Sequence, residues 1–365
     1  MKNNYYYDVD NDIKDYPSAW SYIIVGGRNT GKTYSALKSC LVNERKFVFI
    51  KRTIEDVELL CAGSGRIGTK TNEYGIDLSP FKAINRDMGS NIKAFTIKKG
   101  LGGFWKCCQD ENGADMPDGA PIGYLISLSA VSKFKGFDLS DCDWIIFDEF
   151  IPQPWDKVNR KEGEQLMDLY KTVARDREHR GKDSLKLICL ANATSISNPV
   201  TNILEITDQM ADMQVKRKSI YYNEERGIFV HIINDNYEFK QKEMESQIYK
   251  AMGDTAWGRM AFNNEFAYND FTNVGRIRLK GYKPVTGVIY KNNRWYVYMK
   301  EGQYYMCTSR NDQIELYNLN LENDQKLFYT EYAIDLRNEC IDGRMIFESY
   351  SMYDLIINYK KMFVL

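Results

Sequence analysis

Residues 26–33 read Gly26-Gly27-Arg28-Asn29-Thr30-Gly31-Lys32-Thr33, a complete G-x-x-x-x-G-K-[ST] loop, and no other stretch of the 365 residues restricts the fold as strongly. Such a loop belongs between a strand and a helix. Trp20–Val25 ahead of it is apolar and β-branched, as a buried strand is, and Tyr34–Leu41 behind it suits the first turns of a helix. Gly26 and Gly31 let backbone N–H groups curl around a phosphate, and the helix N-terminus adds favourable dipole charge. Lys32 is then expected to reach the β- and γ-phosphates and the Thr33 hydroxyl to bind Mg²⁺. The bland alternative is a chance glycine turn before a helix. The loop predicts an α/β protein with a nucleoside triphosphate site.

A second constellation indicates what happens to that nucleotide. Trp144–Phe147 is a continuous apolar run, as expected of a central parallel strand, and Asp148 and Glu149 follow at its carboxyl end. Asp148 suits the Mg²⁺ shell, because a hard dication prefers carboxylate oxygen and water. Glu149 suits the orientation and activation of an attacking water. Strands also end in acids merely because loops are solvated. Paired with a phosphate loop, however, the two acids favour a hydrolase over a passive binder.

A third apolar run, Leu185–Ala191, ends in Asn192-Ala193-Thr194. A polar residue at that tip could sense the γ-phosphate or the lytic water. Asn192 is the first candidate and Thr194 the second, against an asparagine that simply turns the chain. Upstream, Glu164–Val173 has helical apolar spacing and leads into Arg175, Arg177 and Arg180. Those arginines read equally well as a cap on the helix dipole or as an arginine finger for a neighbouring subunit's site.

Taken together, Tyr22–Thr33, Phe47–Arg52, Ile145–Phe150, Thr172–Glu178 and Ile188–Pro199 resemble the DNA-packaging ATPases of small tailed bacteriophages, the φ29-like encapsidation proteins related to large terminases. Weaker similarity continues through Trp257–Phe266. The arginine segment and the Ala191-Asn192-Ala193…Asn198-Pro199 segment are the diagnostic pair. The resemblance implies a P-loop NTPase of the additional-strand, catalytic-glutamate (ASCE) type with a central, mostly parallel sheet. It implies an ATP- and Mg²⁺-dependent motor that assembles as a homopentameric ring and threads double-stranded DNA into a preformed capsid. Its partners would be the capsid portal or connector, with a packaging RNA in some systems, and its place the host cytoplasm and the procapsid portal vertex. It makes Arg175 the candidate trans-acting finger, with Arg177 as its neighbour. Lys51, Arg52, Lys133 and Lys135 become candidates for gripping DNA phosphates, or they are ordinary solvated bases.

Composition sets limits on these readings. Lys and Arg number 49 against 50 Asp and Glu, a formal net charge of −1, so any DNA contact must come from a local basic patch. The eight cysteines include no C-x-x-C pair and only two histidines are present, which argues against zinc. Cys40, Cys61 and Cys189 lie in apolar segments suited to a reduced interior, and the apolar runs are strand-sized, so no membrane span is expected. One of the N-terminal tyrosines, or Tyr16, could stack on adenine or pack on the domain edge. Residues 63–75 and 109–123 read as exposed loops.

We divide the chain into an ATPase domain over 1–233, a helical lid or linker over 234–270 and a smaller α+β domain over 271–365. Val215–Tyr222 and Gly227–Ile233 read as further strands of the ATPase sheet, and Met244, Ile248, Tyr249 and Met252 as one apolar helix face. Val285–Tyr290, Arg294–Met299 and Tyr304–Thr308, parted by Asn292-Asn293 and Glu301-Gly302, read as a β-meander. A meander followed by helices resembles an RNase H-like nuclease fold. Its first strand offers no acid, and Asp335, Glu339 and Asp342 alone make a poor two-metal site. The expectation is a vestigial nuclease domain kept for DNA or portal binding, with Trp295, Tyr296, Tyr298 and Tyr304 as candidate contacts, of which strand alternation makes roughly half core. Two other functions stay open: a terminase that also cuts DNA, and a non-motor nucleotide switch or loader.

Overall fold

The apolar runs become the strands of two separate sheets in the computed structural model, which describes residues 6–62, 77–111, 113, 115–134, 136–153, 155–156, 158–233, 238–263, 265–266 and 269–363. The whole loop expected over 63–75 and the candidate Lys135 lie outside these residues. Helix α1 (Val9–Asp15) precedes β1 (Ser21–Val25), and the phosphate loop leads into α2 (Lys32–Val42). Next come β2 (Phe47–Lys51), α3 (Ile54–Cys61), α4 (Lys82–Met88), and the strands β3 (Ile92–Lys98), β4 (Leu101–Gln109) and β5 (Asp115–Ser127). The acid strand is β6 (Trp144–Asp148), followed by α5 (Glu162–Ala174), β7 (Lys186–Ala191), α6 (Pro199–Ile203), α7 (Thr207–Val215), β8 (Ile220–Asn223) and β9 (Ile228–Ile232).

Among the described residues these strands form a nine-stranded sheet in the order β3-β4-β5-β2-β6-β7-β1-β9-β8. The six from β5 to β9 run parallel, and antiparallel pairing adds β3-β4 at one edge and β8 at the other. β1 and β9 are buried along their whole length, the condition of parallel strands covered on both faces. The decisive point is β7, which lies between the loop strand β1 and the acid strand β6, the additional strand of the ASCE arrangement. Ile24, Phe49, Ile146 and Leu190 belong to one core that continues through Leu37 and Phe104.

Three local expectations need correction. Residues 115–123, expected within an exposed loop over 109–123, belong to strand β5, which pairs with β4 from Gln109 and Asp115 onward. Val215 ends α7 instead of opening a strand, and the chain passes through Arg217 at φ 52 before β8 begins at Ile220. Residues 238–263 are helical but broken into α8 (Glu238–Met244), α9 (Gln247–Met252) and α10 (Ala256–Asn263). The Ser246 side chain caps α9 and interrupts the expected continuous face, so Met244, Ile248 and Met252 stay exposed. Met260, Ala261, Phe262 and Phe266 are buried hydrophobic residues of this region.

The chain divides into two compact units, one of residues 1–204 and 216–268, the other of 205–215 and 269–365. The second contains β10 (Lys283–Tyr290), β11 (Asn293–Lys300) and β12 (Gln303–Cys307), an antiparallel meander at the expected places. Glu301 (φ 50) and Gly302 (φ 81) make the tight turn whose twist suits such a hairpin. β13 (Leu316–Asn318) and β14 (Met345–Phe347) extend the sheet to the order β13-β10-β11-β12-β14. Helices α11 (Glu322–Phe328), α12 (Ile334–Ile341), α13 (Tyr350–Ile357) and α14 (Tyr359–Met362) contribute Phe328, Leu336, Leu355 and Tyr359 to a core with Val288 and Trp295. Tyr296, Tyr298 and Tyr305 pack with Ile277, Leu279 and Tyr282 in a separate cluster. Trp295, Tyr296 and Tyr298 are therefore interior groups and not displayed contacts. No helix of the described residues is long and apolar enough to cross a membrane.

Candidate functional site

A pocket of about 330 Å³ opens at the carboxyl ends of β1, β6 and β7, lined by residues 28–34, Asp148, Glu149, Leu190, Ala191 and Asn192. The loop conformation explains its glycines. Gly31 caps α2 at φ 87, where a side chain is strained, and a Cβ on Gly26 would meet Ile233 at 2.9 Å. Asn29 takes φ 59, which asparagine tolerates well. The lead-in segment braces the loop from outside: the Tyr7 N–H donates to the Thr30 carbonyl at 3.1 Å. Tyr7 also donates to Asp12 Oδ2 at 2.7 Å, and the same oxygen lies 2.8 Å from His231 Nδ1. Tyr16 packs on Phe229 and Tyr222 and belongs to that edge of the core.

Lys32 is buried, and its ammonium donates to the Gly26 and Gly27 carbonyls at 3.0 and 2.6 Å. It also reaches Asn192 Oδ1 at 3.4 Å. Burial lowers its pKa to about 8, with Asp148 offsetting only part of that cost. An amine left so poorly solvated gains strongly from an approaching phosphate. The Asn192 position follows from register: Val25 pairs with Ala191, and the Gly26 N–H donates to the Ala191 carbonyl at 3.1 Å. Thr194, the second candidate, is buried with its hydroxyl on Met260 Sδ at 3.6 Å.

On the other side, Thr33 Oγ1 donates to Asp148 Oδ1 at 2.7 Å. A hydroxyl and a carboxylate from elements 115 residues apart thus converge on one point. Two hard oxygens beside a phosphate loop form a donor set that suits Mg²⁺. Glu149 follows at φ 59 with its side chain 64% exposed.

Lys51 and Arg52 have roles different from those expected. Lys51, at the tip of β2 beside β6, places its ammonium 2.8 Å from Asp148 Oδ2 and 3.2 Å from Glu149 Oε2. Burial opposes the charge on Lys51, but the two carboxylates outweigh it and raise its pKa. Arg52 is tied to Glu162 at 2.9 Å and to the Glu149 and Phe150 carbonyls, each at 3.0 Å. Neither base is free to grip DNA phosphates here. The signal that could have revealed this is a Lys-Arg strand tip and an Asp-Glu strand tip in one chain; it becomes informative once β2 is known to neighbour β6. Lys133 remains exposed.

The three downstream arginines separate by environment. Arg177 is buried, donating to the Asp183 and Cys142 carbonyls at 2.5 and 2.6 Å and pairing with Asp143, so it clamps the entrance to β6. Arg180 pairs with Asp176 at the surface, 2.8 Å away. Arg175 lies outside its own chain's pocket, at the end of α5, 3.2 Å from Asp138 and 37% exposed.

In the second unit, Arg344 Nε lies 2.6 Å from Glu339 and its Nη2 2.8 Å from Asp342. Among the described residues no group of three or more His, Cys, Asp or Glu side chains is arranged to hold a metal ion.

Comparison with known proteins gives one consistent answer. Residues 116–357 match the family model described as Podovirus DNA encapsidation protein (Gp16). The chain is 25% identical over 285 residues to the DNA packaging protein of Bacillus phage B103, covering 77% of this chain and 74% of that one. It is also 25% identical over 222 residues to the DNA packaging protein of Bacillus phage phi29, covering 59% of this chain and 62% of the other. Its fold is shared with the solved Phi-28 gp11 DNA packaging motor at a TM-score of 0.63 and 17% identity, over 100% of this chain and 99% of that one. The bacteriophage Phi-29 viral genome packaging motor assembly gives 0.61 and 18%, over 98% and 99%.

Proposed function

The chain belongs to the Podovirus DNA encapsidation protein (Gp16) family, and from that premise we propose that it is an ATP-hydrolysing motor subunit that drives double-stranded viral DNA into a preformed capsid. The observation that carries the hydrolytic part is the convergence of Thr33 on Asp148 at 2.7 Å with Glu149 as the next residue. The loop N–H groups and Lys32 bind the triphosphate and hold its terminal phosphates against the strand tips. Thr33 and Asp148 would hold Mg²⁺, which supplies charge neutralisation to the phosphates. Glu149 orients a water and takes its proton during attack. Asn192 would register whether the terminal phosphate is present, a reading supported by its hydrogen bond from Lys32 at 3.4 Å.

Arg175 completes the account in trans. It lies outside its own pocket and is 37% exposed; its guanidinium pairs with Asp138 at 3.2 Å and donates to the Phe137 carbonyl at 2.8 Å, contacts it would exchange for a neighbour's nucleotide in a ring. The ring is a homopentamer by the resemblance, seated on the capsid portal. We assign the second unit to DNA or portal binding as a vestigial nuclease.

Capsid filling in vitro tests the reading. Wild-type protein, empty capsids, ATP and viral DNA should yield DNA protected from added nuclease. Glu149→Gln should bind ATP and protect none. A switch or loader, in which ATP only gates assembly, would instead keep its binding-linked function in that variant.

A further inference from the structure

Helix α5 connects two places that the proposed reaction uses. Its first residue, Glu162, is 2% exposed and accepts from Arg52 through both carboxylate oxygens, Nε at 2.9 Å and Nη2 at 3.2 Å. The same Nη2 holds the carbonyls of Glu149 and Phe150. Glu149 stands at φ 59, a conformation that a residue with a Cβ adopts at a cost and keeps only when its surroundings impose it. A guanidinium anchored on α5 thus fixes the backbone beneath the acid. At the other end of α5, Arg175 follows with φ 43 and ψ −121, its N–H on the Lys171 carbonyl at 3.0 Å.

The thirteen residues of α5 form a rod of about 20 Å. Leu166, Leu169 and Val173 are buried along it. Gly163 lies so close to α6 that a Cβ there would meet the Pro199 carbonyl at 2.3 Å. Close packing of this kind passes a displacement on instead of absorbing it.

We propose that the Arg52–Glu162 pair is a positioning joint that transmits the backbone setting of a subunit's own Glu149, through α5, to the Arg175 it offers to the next subunit. The proposal rests on reading Glu149 as the acid and Arg175 as the trans-acting finger. The guanidinium is a planar fork whose two acceptor sets are fixed relative to each other. When the Glu149 backbone changes setting, its carbonyl moves, and the fork carries Glu162 and the start of α5 with it. The buried pair stays together because each partner left alone would be a desolvated charge. The Glu149 backbone setting of one subunit thereby decides whether its finger is presented to the next site, which gives the ring an order of firing.

Mixed rings on empty capsids test this with full-length chains. Glu149→Gln subunits cannot fire but donate Arg175; Arg175→Ala subunits can fire when a neighbour supplies the finger. Their mixture should regain ATP turnover. If it regains none, the trans-finger reading itself fails. Adding Glu162→Gln to the donor alone leaves every firing site with its own Arg52, Glu162 and Glu149. The joint predicts that turnover of this mixture falls at least tenfold while the donor's ATP affinity stays within twofold of its parent. Unchanged turnover would overturn the proposal and leave the pair a local brace. Should Glu162→Gln melt early or bind ATP poorly, Arg52→Lys in the donor, which keeps the charge and loses the fork, is read in the same mixture against the same two outcomes.

Discussion

The two sheets of this chain treat charge in opposite ways. At the carboxyl ends of β1, β6 and β7, Lys32, Thr33, Asp148, Glu149 and Asn192 converge on one pocket, and a buried lysine is stripped of water. In the unit built on the five-stranded sheet, Glu339 and Asp342 at the end of α12 spend their charge on Arg344 at the surface, and Trp295, Tyr296 and Tyr298 of β11 are interior. Parallel strands that end together gather residues distant in sequence at one edge. A meander with short turns keeps sequence neighbours together, and its charged residues find local partners. The contrast agrees with placing the proposed hydrolysis in the unit that holds the nine-stranded sheet.

Substitution at Arg175 should break the comparison most severely. Arg175→Ala is expected to lower ATP turnover by about 10³-fold or more in the capsid-bound ring, with ATP binding intact, since fingers of this kind contribute that much. Unchanged turnover would reduce Arg175 to a helix terminus. The neighbouring arginine should behave differently. Arg177→Ala leaves Asp143 and two carbonyls without a buried guanidinium and should cost about 3 kcal/mol of stability, read by denaturant melts.

Lys32→Ala should weaken ATP binding by about 100-fold, from the loss of charge-assisted hydrogen bonds to phosphate. Titration calorimetry would show it, and normal affinity would refute the loop assignment. At the small end stands the second unit. Glu339→Gln with Asp342→Asn should change stability by less than about 1 kcal/mol, as exposed ion pairs do, and leave ATP turnover alone. If the same pair of substitutions abolished an Mg²⁺- or Mn²⁺-dependent DNA cleavage by the full chain, the nuclease reading would return.

Much of the site was legible in the sequence because its signals are local. The loop at 26–33 carries its own motif, and Trp144–Phe147 and Leu187–Ala191 show the unbroken apolar runs of strands buried on both faces. The meander was legible through its turns, above all Glu301-Gly302. Failures came where partners are set by strand order. Lys51 and Arg52 looked like surface bases, and only the pairing of β2 with β6 brings them onto Asp148, Glu149 and Glu162. Val215 looked like the start of a strand because an apolar residue precedes Lys216-Arg217-Lys218, yet α7 already includes it. Arg175 and Arg177 are two residues apart and chemically identical. Burial on Asp183 and Cys142 separates them, and spacing alone carries no trace of that.

The central claim is that the strand-tip cluster of the nine-stranded sheet hydrolyses ATP for work on DNA. Steady-state ATP turnover by the capsid-bound protein, with and without long double-stranded DNA and beside Glu149→Gln, tests it most directly. The account predicts turnover that rises with DNA and falls by about 10³-fold in the variant while ATP still binds. Turnover indifferent to DNA, or retained in Glu149→Gln, would contradict it.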